Sequence, residues 1–191
     1  TGGSTLALAA AGGRAYVGAG PRVASYDISG SGAPELLGRS PVLPGVVNDL
    51  AIAGGHVHAA TYRGLQIIDV SDPENPFVIN GYELGGWMSS LAVAGDYAYL
   101  AWTFGGMRIG HVSDPHNIVE VGYHYDAAVH LAVSGNYAYL AEKGEGLIVI
   151  DVSDPELRVP AVKLVSDWDP LRSLSSKETM DLFFDLSDAH A

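Results

Sequence analysis

Four polar residues stand directly before a leucine at similar intervals along the chain, and one of them is a histidine. They are Thr5, Asp49, Ser90 and His130, and successive members lie 44, 41 and 40 residues apart. Histidine is a common acid–base group and metal ligand near neutral pH, and hydroxyl and carboxylate groups are its usual partners. If the fold brings these positions together, we expect a polar site that binds a cation or pairs a nucleophile with a base.

Other residues near these four could complete the same site. Asn48 and Ser89 directly precede two of them. Two aromatic residues close by would offer flat rings on which a sugar or a peptide stacks. The alternative is a set of ordinary polar side chains around water. The predicted ligand-binding residues are Asn48, Asp49, Trp87, Ser90, His124, Tyr125, Asp126 and His130.

A second histidine pattern has the spacing of a metal pair. His56 and His58 are two residues apart, so on a β-strand they point to the same face. No third ligand is visible in the sequence. The alternative is that both fill positions that Tyr97 and Tyr99 occupy in a similar stretch downstream, which favours packing over metal binding.

Paired aspartates in "DVSDP" segments could supply oxygen ligands for Ca²⁺, the one cofactor that the sequence suggests. Asp69 and Asp72 form one pair, and Asp151 and Asp154 form another. The segments lack the longer alternating loop of a dedicated calcium site, so these residues are better explained as turn formers. The sequence has no phosphate-binding glycine loop, no GxSxG, no HExxH and no cysteine.

The composition disfavours several kinds of partner. The net charge is −12, so the surface repels nucleic acids and anionic membranes. No apolar run is long enough to cross a bilayer, so we expect no membrane insertion. The first residues lack the basic region of a secretory signal, so none is predicted in this chain.

A repeat of about 40 residues must position all of these groups. Similar segments begin at Leu6, Leu50, Leu91 and Leu131, at intervals of 44, 41 and 40 residues. Such a period, built from strands, is typical of a four-stranded propeller blade. The predicted fold class is therefore all-β, a β-propeller of four four-stranded antiparallel blades or part of a larger propeller completed by an oligomer. In this fold the four polar residues begin the innermost strands, at one mouth of the central channel.

Individual strands can be read from one copy. "YAYLA" over residues 137–141 and "LIVIDV" over 147–152 have the β-branched and aromatic content of strands. "SDP" ends the second of them, because Pro155 cannot donate to a strand ladder. A fourth strand follows in other copies, as in residues 77–84 and 118–125.

The segments "GLQIIDVSDPENP" and "GLIVIDVSDPE", with "LAVSGNYAYLA" upstream, resemble the LVIVD repeat family over roughly residues 6–165. The third copy has His111 in place of the aspartate, and the first, "SYDISGSGAP", lacks the "SDP" turn. The resemblance implies a β-propeller from a bacterial or archaeal protein that is secreted or held at the cell surface. It implies no catalytic motif.

We expect a propeller domain over residues 1–170 and a C-terminal tail over residues 171–191. The sequence of the tail predicts a short helix that is capped near Ser175. This helix would either cover a blade or dock a partner. Ring closure has three alternatives: a four-bladed ring, a fragment of a larger ring, or two chains that form eight blades. The predicted repeats cover residues 6–49, 50–90, 91–130 and 131–170.

These observations favour a non-enzymatic binding or scaffold module that is secreted or held at the cell surface and recognises a protein or a glycan. One alternative is a hydrolase or lyase acting at the channel mouth. Another is a structural subunit of a homo-oligomer or a larger assembly. The repeats themselves supply an architecture and no reaction.

Overall fold

The computed structural model describes residues 5–103, 105–125, 128–142 and 146–155. Those residues form fifteen strands in four antiparallel sheets and contain no helix. None of the described residues therefore lies in a helix that could cross a membrane. We call the sheets blades 1 to 4, in chain order. The predicted all-β fold class is confirmed.

The strands of each blade follow one another in space as they do in sequence. Blade 1 contains β1 (Thr5–Ala11), β2 (Arg14–Ala19), β3 (Val23–Asp27) and β4 (Glu35–Arg39). Blade 2 contains β5 (Val47–Ala53), β6 (His56–Thr61), β7 (Gly64–Asp69) and β8 (Phe77–Glu83). Blade 3 contains β9 (Met88–Ala94), β10 (Tyr97–Trp102), β11 (Gly106–His111) and β12 (Val119–His124). Blade 4 contains β13 (Ala128–Ser134), β14 (Tyr137–Glu142) and β15 (Gly146–Asp151).

Two-residue glycine turns set the register of the first hairpin in blades 1 and 2. Gly54 and Gly55 have φ of 58° and 78°, and the turn pairs Ala53 with His56. Both φ values are positive, as the type I′ hairpin turn requires, and glycine adopts them without steric cost. Gly12 and Gly13 make the same turn in blade 1, with φ of 58° and 76°.

This turn corrects the predicted alignment of the first copy. Gly12 corresponds to Gly54, so the equivalent of Leu50 is Leu8 and not Leu6. By the same register Ala7, and not Thr5, takes the position of Asp49. The set of four polar residues therefore has only three members.

The core lies between the blades. Three clusters of buried apolar residues join blade 1 to blade 2, blade 2 to blade 3, and blade 3 to blade 4. The innermost strands β1, β5, β9 and β13 pack on one another in that order. Within the described ranges no cluster joins blade 4 to blade 1, so the four blades form an open array.

The "SDP" turn of each following blade closes the outer rim of these interfaces. A Cβ atom at Gly38 on β4 would collide with the carbonyl oxygen of Glu74 in the turn of blade 2. At the equivalent position on β8, Asn80 Nδ2 donates to the carbonyl of His116 in the turn of blade 3, at 2.8 Å. The motif thus joins neighbouring blades in addition to ending a strand.

Two predicted segments lie outside the described residues. They are the fourth strand of blade 4 (residues 159–166) and the C-terminal helix within residues 171–191. The predicted repeat and tail boundaries stay predictions.

Candidate ligand-binding site at the loop end of the blades

Each blade has two different ends. At the turn end lie the first hairpin turn and the "SDP" turn, which are residues 54–55 and 71–73 in blade 2. At the loop end lie the turn between the second and third strands and the link to the next blade, residues 62–63 and 84–87 in blade 2. The predicted binding residues that the structure describes belong to the loop end.

A β-bulge occurs at the same place in every innermost strand. The ladder skips one residue between Thr5 and Ala7, and it skips Asn48, Ser89 and Val129 at the equivalent places. A bulge bends the strand and redirects a side chain away from the regular pleat. The bulge therefore directs the side chains of Asn48 and Ser89 towards the next blade.

Two bulge residues make the same contact with the next blade. Asn48 Nδ2 donates to the Met88 carbonyl at 2.8 Å, and Ser89 Oγ contacts the Ala128 carbonyl at 3.4 Å. Met88 and Ala128 are equivalent residues, each directly before the bulge of its own blade. These two polar residues therefore connect successive blades.

The structure brings Asp49 and Ser90 together. Asp49 Oδ2 accepts hydrogen bonds from the Leu91 backbone N–H at 2.7 Å and from Ser90 Oγ at 3.1 Å. Its Oδ1 accepts from the Leu50 N–H at 2.9 Å. Ser90 is buried. The Asp49 carboxylate thus accepts one hydrogen bond within blade 2 and two hydrogen bonds from blade 3.

The other predicted residues lie apart from this pair. His130 on β13 is exposed, and among the described residues no hydrogen bond joins it to Asp49 or Ser90. His124 ends β12, and Tyr125 follows it with an exposed side chain. Asp126 lies outside the described residues.

Exposed aromatic residues are the clearest surface feature of the loop end. Trp87 is 50% exposed and Tyr62 is 55% exposed, and their rings meet edge to face at 6.3 Å. The Trp87 carbonyl accepts from the Thr103 N–H at 3.1 Å, which fixes the link between blades 2 and 3. Sequence reasoning found Trp87 but missed Tyr62. The available signal for Tyr62 was its position in the turn between β6 and β7, two residues before Gly64.

A second aromatic pair lies at the same end of blade 3. The rings of Tyr123 and Tyr125 meet edge to face at 4.6 Å, and Tyr125 is 69% exposed. The Arg108 guanidinium lies over the Tyr123 ring at 5.3 Å and over the Trp102 ring at 5.2 Å. Stacking of this kind stabilises both the cation and the rings. The exposed Tyr125 thus rests on an ordered layer beneath it.

An ion pair holds that layer and links it to blade 2. Arg108 pairs with Glu120 at 3.0 Å, and the Tyr82 hydroxyl donates to the other oxygen of Glu120 at 2.6 Å. Burial and the adjacent Glu120 carboxylate raise the pKa of Tyr82 to about 12. Tyr82 therefore stays a neutral donor over the whole physiological range.

The histidine pair is placed as the packing interpretation expects. His58 is 3% exposed and takes the position of Tyr16 and Tyr99 in the neighbouring blades. Burial, together with the adjacent His56, lowers the pKa of His58 to about 4. In the part of the chain that the structure describes, no cluster of three or more His, Asp or Glu residues could hold a metal ion.

The aspartates of the "DVSDP" segments cap their own turns. Asp69 accepts from the Ser71 N–H at 2.8 Å, and Asp151 accepts from the Ser153 N–H at 2.9 Å. Hydrogen bonds from these serines hold the pKa of both carboxyls below the usual range. Asp72 accepts from the Glu74 N–H at 3.0 Å. These contacts support the turn-former interpretation, and calcium binding stays a prediction.

Comparison with known structures shows the fold alone, because sequence identities are low. The computationally designed Ika4 protein matches with a TM-score of 0.64 and 13% identity, over 79% of this chain and 92% of Ika4. The computationally designed Ika8 protein matches with a TM-score of 0.65 and 14% identity, over 85% of this chain. The chain spans half the length of Ika8 (50%). No curated protein sequence matches.

The LVIVD repeat model matches three consecutive segments, residues 44–83, 85–126 and 127–156. They correspond to blades 2, 3 and 4 and together exceed half of the 191 residues. The first copy, which lacks the "SDP" turn, lies outside the matched segments. This chain belongs to the LVIVD repeat family and folds as a repeat β-propeller.

Proposed function

We propose that the chain is a non-enzymatic binding module whose ligand surface is the loop end of blades 2 and 3. The observation that carries this proposal is the pair of exposed aromatic contacts there, Tyr62 with Trp87 and Tyr123 with Tyr125. Tyrosine and tryptophan supply large contact areas with little loss of conformational entropy, and they dominate binding surfaces for that reason.

The support beneath these rings favours recognition of a partner. Arg108, Glu120 and Tyr82 hold the Tyr123 ring from two blades, so the Tyr123–Tyr125 pair is ordered before a ligand arrives. A preorganised surface loses less entropy on binding than a flexible one. Aromatic faces of this size suit the C–H face of a sugar ring or an apolar peptide side chain.

We call Asp49, Ser90 and His130, near the starts of the innermost strands, the inner rim of the loop end. It does not support the alternative of a hydrolase or lyase. A serine nucleophile needs a base within hydrogen-bond reach to remove its proton. The partner of Ser90 is Asp49, which is already bound by two backbone N–H groups, and His130 does not contact either residue by a hydrogen bond. The geometry there is that of a contact between blades.

We place the binding module outside the cell, on a secreted or surface-held protein, with a protein or glycan as its partner. The support is the resemblance of its repeats to surface-associated family members. The acidic composition also disfavours nucleic acids and anionic membranes as ligands. Immunodetection of the native protein in culture medium, cell-wall and cytoplasmic fractions tests the location, and recovery in the cytoplasm alone would contradict it.

Binding arrays of glycans and peptides, followed by titration of each hit, test the function. We expect Trp87→Ala and Tyr125→Ala to weaken a hit at least tenfold, because each removes a ring from the proposed surface. Phe77→Ala is the matched control, since Phe77 is 52% exposed at the turn end of blade 2. Equal losses in all three variants, or no hit on either array, would refute the proposed surface.

A further inference from the structure

Four equivalent leucines show that one face of blade 1 has no neighbouring blade among the described residues. Leu50, Leu91 and Leu131 each face the preceding blade and are 6%, 6% and 8% exposed. Leu8 occupies the same place in blade 1 and is 65% exposed. We call the face of a blade that meets the preceding blade its leading face. Of the four leading faces, that of blade 1 is the one left exposed at this position.

The opposite face of blade 4 carries the matching residues. In blade 3, Tyr99, Met107 and Ile109 pack against blade 4 and are 3%, 1% and 5% exposed. The residues at the same strand positions in blade 4 are also large and apolar or aromatic, but each of them is only half-buried. We call this the trailing face of blade 4, and its central residues are Tyr139, Leu147 and Val149.

We propose that the leading face of blade 1 packs against the trailing face of blade 4 of a second copy of this chain. Apolar residues at equivalent positions already bury Leu50, Leu91 and Leu131 within the chain, so the new contact repeats an interface that the protein makes three times. Two copies joined head to tail at both seams form one ring of eight blades. Isologous pairing of two leading faces would not reproduce this interface.

The seam between copies differs chemically from the interfaces between blades 2 and 3 or 3 and 4. The bulge residue of blade 4 is Val129, which cannot donate as Asn48 and Ser89 do. The residue equivalent to Asp49 is His130, and it would meet Ala7 of the other copy in place of a serine. The seam therefore rests on apolar burial, and we expect an association that depends on protein concentration.

Light scattering after size-exclusion chromatography of the full chain tests the association. Across a dilution series we expect the wild type to approach twice its chain mass of 20.0 kDa at the high end. Leu8→Glu should shift the protein to the monomer at every concentration, because it places a charge in the seam. Val42→Glu is the matched control, since Val42 is 62% exposed in the link between blades 1 and 2. A wild type that stays at 20.0 kDa throughout, or two variants that behave alike, would overturn the proposal.

Disulfide trapping tests the seam itself and remains informative if Leu8→Glu fails to fold. The chain has no cysteine, so introduced thiols report without interference. Ser90 Oγ and Asp49 Oδ2 lie 3.1 Å apart across the interface of blades 2 and 3, and Ala7 and His130 are their equivalents. We expect a mixture of the Ala7→Cys and His130→Cys proteins to form mixed disulfide dimers on oxidation, while each alone forms far fewer. In the double variant, an internal disulfide without dimers would mean that four blades close on themselves and would refute the proposal.

Discussion

The turn end and the loop end of the blades differ in how alike the four blades are and in what they expose. At the turn end, Asp69 and Asp151 cap equivalent turns in the same way, and the "SDP" turns seat on the preceding blade. At the loop end, each blade carries different residues, and large aromatic side chains are exposed there. The contacts at the turn end are therefore alike from blade to blade, whereas the exposed residues of the loop end differ between blades.

The largest effect on stability is expected from filling the space between an "SDP" turn and the blade that precedes it. Gly38→Val would push its side chain into the Pro73 and Glu74 carbonyls, where even a Cβ atom does not fit. Overpacking against backbone costs about 3 kcal/mol of the free energy of unfolding, measured by urea denaturation. Gly32→Ala is the control, because nothing lies within 4 Å of its Cβ position. Equal stability of the two variants would show that the turn does not hold the blades together.

The buried His58 of blade 2 should make the free energy of unfolding depend on pH, whereas blades 1 and 3 have a tyrosine at this position. The pKa of His58 is lowered from 6.5 to about 4 by burial and by His56, so the unfolded chain binds this proton at higher pH than the folded chain does. Stability should therefore fall as the pH drops from 6.5 towards 4, by about 2 kcal/mol between about pH 7.5 and about pH 5. The penalty fades as the pH rises above 6.5, because the imidazole then becomes neutral in the unfolded state as well as in the folded state.

Unfolding midpoints across this pH range measure the effect. His58→Tyr should remove most of the slope, because it removes the imidazole and tyrosine already fills the same position in blades 1 and 3. His116→Gln is the control, since His116 is exposed and only its backbone is used in the interface. If His58→Tyr and the wild type share one pH profile, the buried histidine is not the cause.

Much of the fold follows from the sequence because its signals are local and repeated. The strand at residues 137–141, the run at 147–152 and the strand at 77–84 were all predicted, and β14, β15 and β8 occupy those places. The register of the first copy was predicted wrongly, with Leu6 in the position that Leu8 occupies. Leu6 and Leu8 are two residues apart, so either choice keeps the same alternation of faces. The paired glycines at positions 12 and 13 hold the information that decides between them.

The candidate site was harder to predict, because its contacts depend on register between distant strands. The hydrogen bond from Tyr82 to Glu120 spans 38 residues, and neither residue belongs to a motif. The bulges of the innermost strands also leave no mark in the sequence, although they send Asn48 towards the next blade. Residue types therefore identified polar groups at the loop end, while the backbone decided that several of them join blades.

Asp49 is the exception to the division between the two ends, because it lies at the loop end and its hydrogen bonds join it to residues of blades 2 and 3. Asp49→Ala leaves the Leu91 N–H at the interface without its acceptor, and loss of that hydrogen bond should cost about 1.5 kcal/mol of unfolding free energy. Asp49→Asn keeps an acceptor oxygen and should cost less. A residue that served only a ligand would show the reverse, with unchanged urea midpoints and lost binding. If Asp49→Ala and the wild type have the same urea midpoint, Asp49 does not hold blades 2 and 3 together. The inner rim would then again be a candidate ligand site.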